Sequence, residues 1–202
     1  MFTGIISELG TVVSAEPQGG VMRLTLEAPT TSGDLSLGDS VAVNGVCLTA
    51  IDVEESSFTV EVVHESVDRS SLGSIAAGDV VNLERPMHGQ GRFDGHIVQG
   101  HVDGVGTISK HIPDGGSTRV RVGVPQALAP YIVAKGSIAV DGTSLTVSGV
   151  SDVGAREAWF EFVVIPHTLE VTVFGNRGVG DTVNIEVDVL AKYVERLLGF
   201  RT

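Results

Sequence analysis

SVAVNGVCLT (residues 40–49) and SIAVDGTSLT (residues 137–146) align without a gap at a shift of 97 residues. Both place an alternating apolar run on each side of a turn dipeptide, Asn-Gly in the first and Asp-Gly in the second. Working outward, GIISELGTV at 4–12 matches GHVDGVGTI at 100–108, a shift of 96. HESVDRSSLG at 64–73 parallels PHTLEVTVFG at 166–175, and GDVVNLE at 78–84 parallels GDTVNIE at 180–186, both shifted by 102. Four blocks in one order with nearly one shift define a tandem duplication. The residues that lengthen the second copy fall in SDVGAREAW, as an enlarged hairpin would.

Each copy reads as short strands. VMRLTLEA and TRVRVGV alternate apolar and polar residues, and SFTVEVV and WFEFVVI do so with aromatic and β-branched ones. Turn signals recur about every ten residues, and there are 26 glycines. The expected fold is all-β: a small closed Greek-key-like β-barrel, duplicated in tandem and followed by a C-terminal α-helix. The expected domains are 1–96, 97–188 and a helix over 189–202. Proline-opened helical turns fit PTTSGDL and PQALAPYI. In VLAKYVERLLGF, Leu190, Tyr193, Val194 and Leu197 stand at helical spacing before Gly199. That stripe must be buried, on its own barrel or against another subunit.

A chain of 202 residues that is 42% hydrophobic and 19% charged is a folded globular protein. A net charge of −12 and the lack of any basic cluster point away from nucleic acid. No apolar run reaches the ~20 residues of a membrane span, and MFTGIISELG is no signal peptide. A cytoplasmic protein is expected. The one cysteine, Cys47, rules out an internal disulfide and gives no metal-binding spacing.

GHIVQGHVDG at 95–104 joins the copies and carries His96 and His101. If the segment is extended, a spacing of five sets the two on opposite strand faces, which is not the convergent set that zinc needs. No metal site is expected. GQGRFDG misses the dinucleotide-loop spacing and lacks the strand–helix setting. His101 stands where the first copy has Ile5, so it is either a turn residue satisfying a backbone group or a functional replacement.

MFTGII, VNGVCLT, DGHIVQGHVDG, VDGTSLTV and VNIEVDVLAKYVERL together resemble the riboflavin synthase family, in order and across the whole chain. The resemblance implies two lumazine-binding barrels and a homotrimer joined through the C-terminal helix. It implies a dismutation without metal or cofactor: two 6,7-dimethyl-8-ribityllumazine molecules give riboflavin and 5-amino-6-(D-ribitylamino)uracil by four-carbon transfer. Lumazine synthase is a further candidate partner.

By the family's pattern Cys47, Ser144 and His101 are the candidate catalytic residues. Cys47 corresponds to Ser144, and Asn44 to Asp141. Ser40, Thr49, Glu65 and Ser66 would line the first pocket; Thr146, His167 and Thr168 the second, with Lys135 and Asp141 nearby. Thr3, Gly4, Ile5, His96 and Gly100 complete the substrate set, and Glu186 and Asp188 belong to the acidic NIEVD block. Two departures bear on substrate preference. The family's ETL reads ESV at 65–67, and its second ETL or TTR reads HTL at 167–169. A lumazine-processing paralogue and a non-catalytic lumazine- or flavin-binding antenna are the alternatives; the retained GHIVQGHVDG favours an enzyme.

Overall fold

A computed structural model describes residues 1–199. The first copy folds as β1 (Glu8–Gln18), β2 (Val21–Glu27), α1 (Pro29–Ser32), β3 (Ser40–Val43), β4 (Val46–Val53), β5 (Ser57–Val63), α2 (His64–Arg69) and β6 (Val80–Glu84). The strands close in the order β1-β2-β5-β4-β3-β6, with β6 pairing back onto β1. The second copy repeats this with β7 (Gly104–Asp114), β8 (Ser117–Val124), β9 (Ser137–Val140), β10 (Thr143–Thr146), β11 (Gly149–Val150), β12 (Ala158–Val164), α3 (Pro166–Val171) and β13 (Thr182–Val187). Here β10 and β11 are two pieces of the strand that is continuous as β4. One pairs with β9 and the other with β12, so this barrel closes too.

Alternation decides what lies inside. Leu24, Leu26, Phe58, Val60, Val62, Val81 and Leu83 fill the first barrel. Val120, Val122, Phe160, Phe162, Phe174, Val183 and Ile185 fill the second. Phe174, from the turn after α3, meets Phe162 edge-on at 5.3 Å. Cys47, Thr49, Ser144 and Thr146 have the opposite parity on their strands and therefore face outward.

The barrels meet along a seam with near two-fold symmetry. Phe2 and Val98, related by the repeat, bridge each other through paired backbone bonds of 2.8 and 3.2 Å. The Asn82 amide donates to the Asp141 carbonyl at 2.8 Å and accepts from the Val173 N–H at 2.8 Å. Its counterpart Asn184 donates to the Asn44 carbonyl at 2.8 Å and accepts from the Ser71 N–H at 2.6 Å. Between them the two hairpin turns touch. A Cβ on Gly45 would lie 2.6 Å from the Gly142 nitrogen, and one on Gly142 would lie 2.8 Å from the Gly45 nitrogen. Both glycines have positive φ, 77° and 78°, so no side chain fits either place.

After the second barrel, α4 (Val189–Gly199) carries the apolar stripe. Polar contacts tether it: Lys192 lies 2.6 Å from Asp103, and the Tyr131 hydroxyl bonds Glu195. Leu190, Tyr193, Val194 and Leu197 remain 56–65% exposed, so their own barrel does not cover them. No helix among the described residues is long and apolar enough to cross a membrane.

The main departure of the seam from symmetry is in charge, beside an Asn82 bond to the Thr143 hydroxyl at 3.2 Å where the first copy has Val46. Asn44 and Asp141 both accept from the facing Asn N–H at 2.8 Å, but the second oxygen of Asp141 faces the Arg177 guanidinium at 3.2 Å. Full burial pushes the Asp141 carboxyl up to about 6, and Arg177 only partly opposes it. A raised acid of this kind contributes stability that is complete below its unfolded value near 3.8 and lost as pH rises through 6. Asp141→Asn copies the first barrel and removes that slope. Urea midpoints of parent and variant are expected to draw apart, with the parent losing ground, between about pH 4 and about pH 7. Parallel profiles would refute this.

Candidate functional site

Two loops reach across the seam, and each is held by a buried carboxylate of its own barrel side. Glu84, at the end of β6, accepts from the N–H groups of Thr3 at 2.7 Å and Gly4 at 3.0 Å. Its repeat counterpart Glu186, in β13, accepts from Gln99 at 2.6 Å and from Gly100 and His101, each at 2.9 Å. Burial pushes both carboxyls above the ordinary range, against the pull of the amides.

The loop held by the second barrel then lies on the first. The Cys47 N–H donates to the Gly100 carbonyl at 2.9 Å. Conversely, the loop held by the first barrel lies on the second, where the Ser144 N–H donates to the Gly4 carbonyl at 2.7 Å. Contact is close at both places. A Cβ on Gly100 would stand 2.6 Å from the Cys47 Cβ, and one on Gly4 2.6 Å from the Ser144 Cβ. Each barrel thus receives a loop anchored on the other.

On the first barrel this makes a cavity of about 230 Å³ lined by Cys47, Glu65, Ser66, Arg69, Gly100 and His101, with Val46, Ser70 and Val102. Five of these nine are residues singled out from the sequence. Arg69 is the charged residue among those missed. It pairs with Glu65 one helical turn earlier on α2, and its only sequence signal is that i,i+4 spacing. Thr49 pairs with half-buried Ser40 on the same outer face and is exposed.

On the second barrel Ser144, Thr3, Gly4 and His96 come together. His96 Nδ1 lies 2.7 Å from Ser144 Oγ, and which atom donates depends on the imidazole tautomer. Burial lowers the His96 pKa, so the ring is neutral near neutral pH, with Asp188 pulling weakly the other way. Its Nε2 is buried with no partner among the described residues. Ile5 and Thr146 are exposed. His167 and Thr168 occupy α3, at the positions that Glu65 and Ser66 hold in α2; His167 is exposed and Thr168 half-buried.

The joining segment is not the extended strand that opposite faces for His96 and His101 would require. Residues 95–101 are irregular backbone with a single bridge at Val98, so they have no alternating strand faces. The two histidines part because the segment spans the seam: His96 goes to Ser144 of the second barrel and His101 to Cys47 of the first. Two other candidates lie away from these clusters. Asp141 is sealed in the seam with Arg177. Lys135 is exposed in the turn before β9, with a φ of 69° where the first copy uses Gly38 at 90°. Among the described residues no group of three or more His, Cys, Asp or Glu side chains converges as a metal site.

These features define a double-barrel protein with a paired site. The model of the lumazine binding domain matches residues 3–86 and again 99–188. The chain belongs to the lumazine-binding family. Full-length relatives include the riboflavin synthase of Mycobacterium tuberculosis, 50% identical over 200 residues and 98% of each chain. The riboflavin synthase of Bacillus subtilis is 42% identical over 198 residues, covering 98% of this chain and 90% of the relative. In fold, the chain matches the crystal structure of LumP complexed with 6,7-dimethyl-8-(1'-D-ribityl) lumazine. The TM-score is 0.82 at 19% identity, covering 93% of this chain and 99% of that one.

The loop contacts make Gly100 a test of how the first site is built. Gly100→Ala meets both a positive φ of 78° and the Cys47 Cβ, whereas Gly19→Ala at φ 60° meets nothing within 4 Å. Urea unfolding should show Gly100→Ala the costlier by about 1–3 kcal/mol, the overpacking cost, with backbone strain common to both. Equal losses would mean that the loop does not press on Cys47.

Proposed function

We propose that this chain is a riboflavin synthase. It converts two molecules of 6,7-dimethyl-8-ribityllumazine into riboflavin and 5-amino-6-(D-ribitylamino)uracil by transfer of a four-carbon unit. The observation that carries this is the duplicated site itself: two similar clusters, each completed by a loop anchored on the opposite barrel. A dismutation needs the same molecule bound twice, and holding two reactants face to face can supply about 7–11 kcal/mol of the barrier.

The clusters differ where the chemistry is asymmetric. One lumazine must lose a proton from its C7 methyl group, and the other must accept a nucleophile. In the first cluster the proposed groups are Cys47 and the exposed imidazole of His101. In the second they are Ser144 and the neutral imidazole of His96, which together can accept and return a proton. Glu65, Ser66, Ser40 and Thr49 would contact the substrate of the first barrel. Thr3, Gly4, Ile5, Thr146, Thr168 and His167 would contact that of the second. Lys135 fits here as well: a lysine kept in a backbone conformation that the other copy gives to glycine points to a use for its side chain. Asp141 would act through the seam. A purely binding role, as in an antenna protein, leaves the two histidines and Cys47 without work.

Incubation with dimethyl-ribityllumazine alone, with no added cofactor, should produce riboflavin fluorescence. His101→Gln keeps a hydrogen-bonding side chain but removes the imidazole that could pass a proton. It should lower kcat by about 10²–10⁴-fold with little change in binding of a non-reacting lumazine analogue. Normal turnover in this variant would leave His101 a turn residue and move the chemistry to Cys47 and Ser144.

The proposed assembly is a homotrimer, in which the first barrel of one subunit faces the second barrel of its neighbour. The exposed stripe on α4 supports it, because five large apolar side chains on 11 residues are left in water by the single chain. Lumazine synthase as a partner, and the cytoplasm as the compartment, are part of the same reading. Ending the chain after Asp188 is expected to give monomers in light scattering; a trimer that survives would place the interface elsewhere.

A further inference from the structure

The second barrel has a cavity that the proposed reaction does not use. It measures about 550 Å³, the size of a small-molecule site, and opens where the turn at Ala129–Tyr131 meets the β11–β12 connection. Its walls are Pro130, Ile132, Val133, Val150, Val153 and Trp159. Cys47, His96, His101 and Ser144 do not border it.

The first barrel lacks two of the parts that build this cavity. Its β4–β5 connection is the three residues 54–56, against seven, 151–157, in the second. Phe58 opposite Leu26 matches Phe160 opposite Val122, which makes Trp159 the counterpart of Ser57. A lengthened loop and an indole have been added in one copy only. A dismutation needs its two substrate sites in both copies, so a cavity walled by parts that one copy lacks is free to serve something else.

The cavity is also built in advance. Arg121 stacks 3.6 Å over the Trp159 ring and is itself gripped by Glu161 at 2.8 and 2.7 Å. The loop is stapled by Gln126 Nε2, which donates to the carbonyls of Ala155 at 2.8 Å and Arg156 at 3.1 Å, and by the Ser151 N–H on the Trp159 carbonyl at 2.9 Å. An occupant would not have to order these walls. Val153 is fully exposed and Val133 more than half exposed, so apolar surface stands in water around the opening.

We propose that this cavity binds an uncharged planar aromatic molecule of two or three fused rings, independently of the substrate sites. The indole and the valines favour a flat apolar face. An anion would meet Asp152 on the lining and a chain of net charge −12, with Arg121 already neutralised by Glu161. A cation would find the Trp159 ring already engaged by Arg121. The assignment does not depend on the reaction proposed above.

Trp159 is the only tryptophan, so all indole emission comes from a wall of this cavity, and the valine variants localise the probe. The full chain is titrated with N-phenyl-1-naphthylamine, an uncharged aromatic probe that accepts energy from indole. Saturable quenching of Trp159 with sensitised probe emission, one site per chain, is expected. Val133→Asp with Val153→Asp keeps the reporter and should weaken the probe at least about tenfold. Val153→Asp alone, at a fully exposed side chain, is expected to weaken it in the same direction and serves if the double variant does not fold. A non-reacting lumazine analogue should leave the quenching unchanged. No saturable quenching, equal affinity in the variants, or displacement by the analogue would each overturn the proposal.

Discussion

The organisation of the molecule rests on two buried carboxylates that bind mainly backbone, with the Thr3 hydroxyl added at Glu84. Glu84 and Glu186 each sit on the last strand of a barrel and gather amide N–H groups from an irregular loop. A loop without regular secondary structure has orphan donors, and burying them unpaired costs about 1–3 kcal/mol apiece. A carboxylate with several acceptor sites satisfies two or three at once. That is what lets residues 3–4 and 99–101 run through a largely buried junction and arrive at Ser144 and Cys47. The carboxylates bear the desolvation that this requires, which is why both are pushed toward protonation despite their bonds.

From that follows the pairing of the sites. Because each loop is anchored on one barrel and laid over the other, neither half presents a complete cluster by itself. The seam asparagines make the same point in the backbone: Asn82 and Asn184 each bond a turn and a helix end of the opposite copy. Where symmetry is kept, the residues are those that hold the halves together: the asparagines, the glutamates and the touching glycines. Where it is broken, at Cys47 and Ser144, at His101 and Ile5, and at Arg69 and Val171, the residues border the clusters or match one that does.

The duplication was legible because β-barrels encode themselves in alternation and turns, which survive divergence. It also gave the correspondences that locate Cys47 opposite Ser144. The destinations of His96 and His101 were not legible. Periodicity assigns faces only to regular elements, and this segment is irregular, held by bonds to Glu186 and Thr3 from distant parts of the chain. Glu84 could have been found: it aligns with Glu186 in the GDVVNLE and GDTVNIE blocks, and the equivalence assigns it the same task. Arg69 had no such guide, since the second copy has Val171 there. Asp141 was set near the second pocket by the family's pattern, and its burial with Arg177 at the hairpin tip depends on contacts across the seam that no spacing in the sequence reveals.

Two copies under a shared constraint can change in length only where the seam does not reach. The β11–β12 connection shows this. It lies on the second barrel away from the glycine contact and from both anchored loops, so seven residues replace three without disturbing a bond between the halves. Inserting the same length at Asn44–Gly45 would break the 2.6 Å approach to Gly142 and, through Asn82 and Asn184, loosen both clusters together. The seam therefore confines new structure to the outer ends of the barrels. A preformed indole-walled cavity on one copy is the form that such freedom takes in this chain.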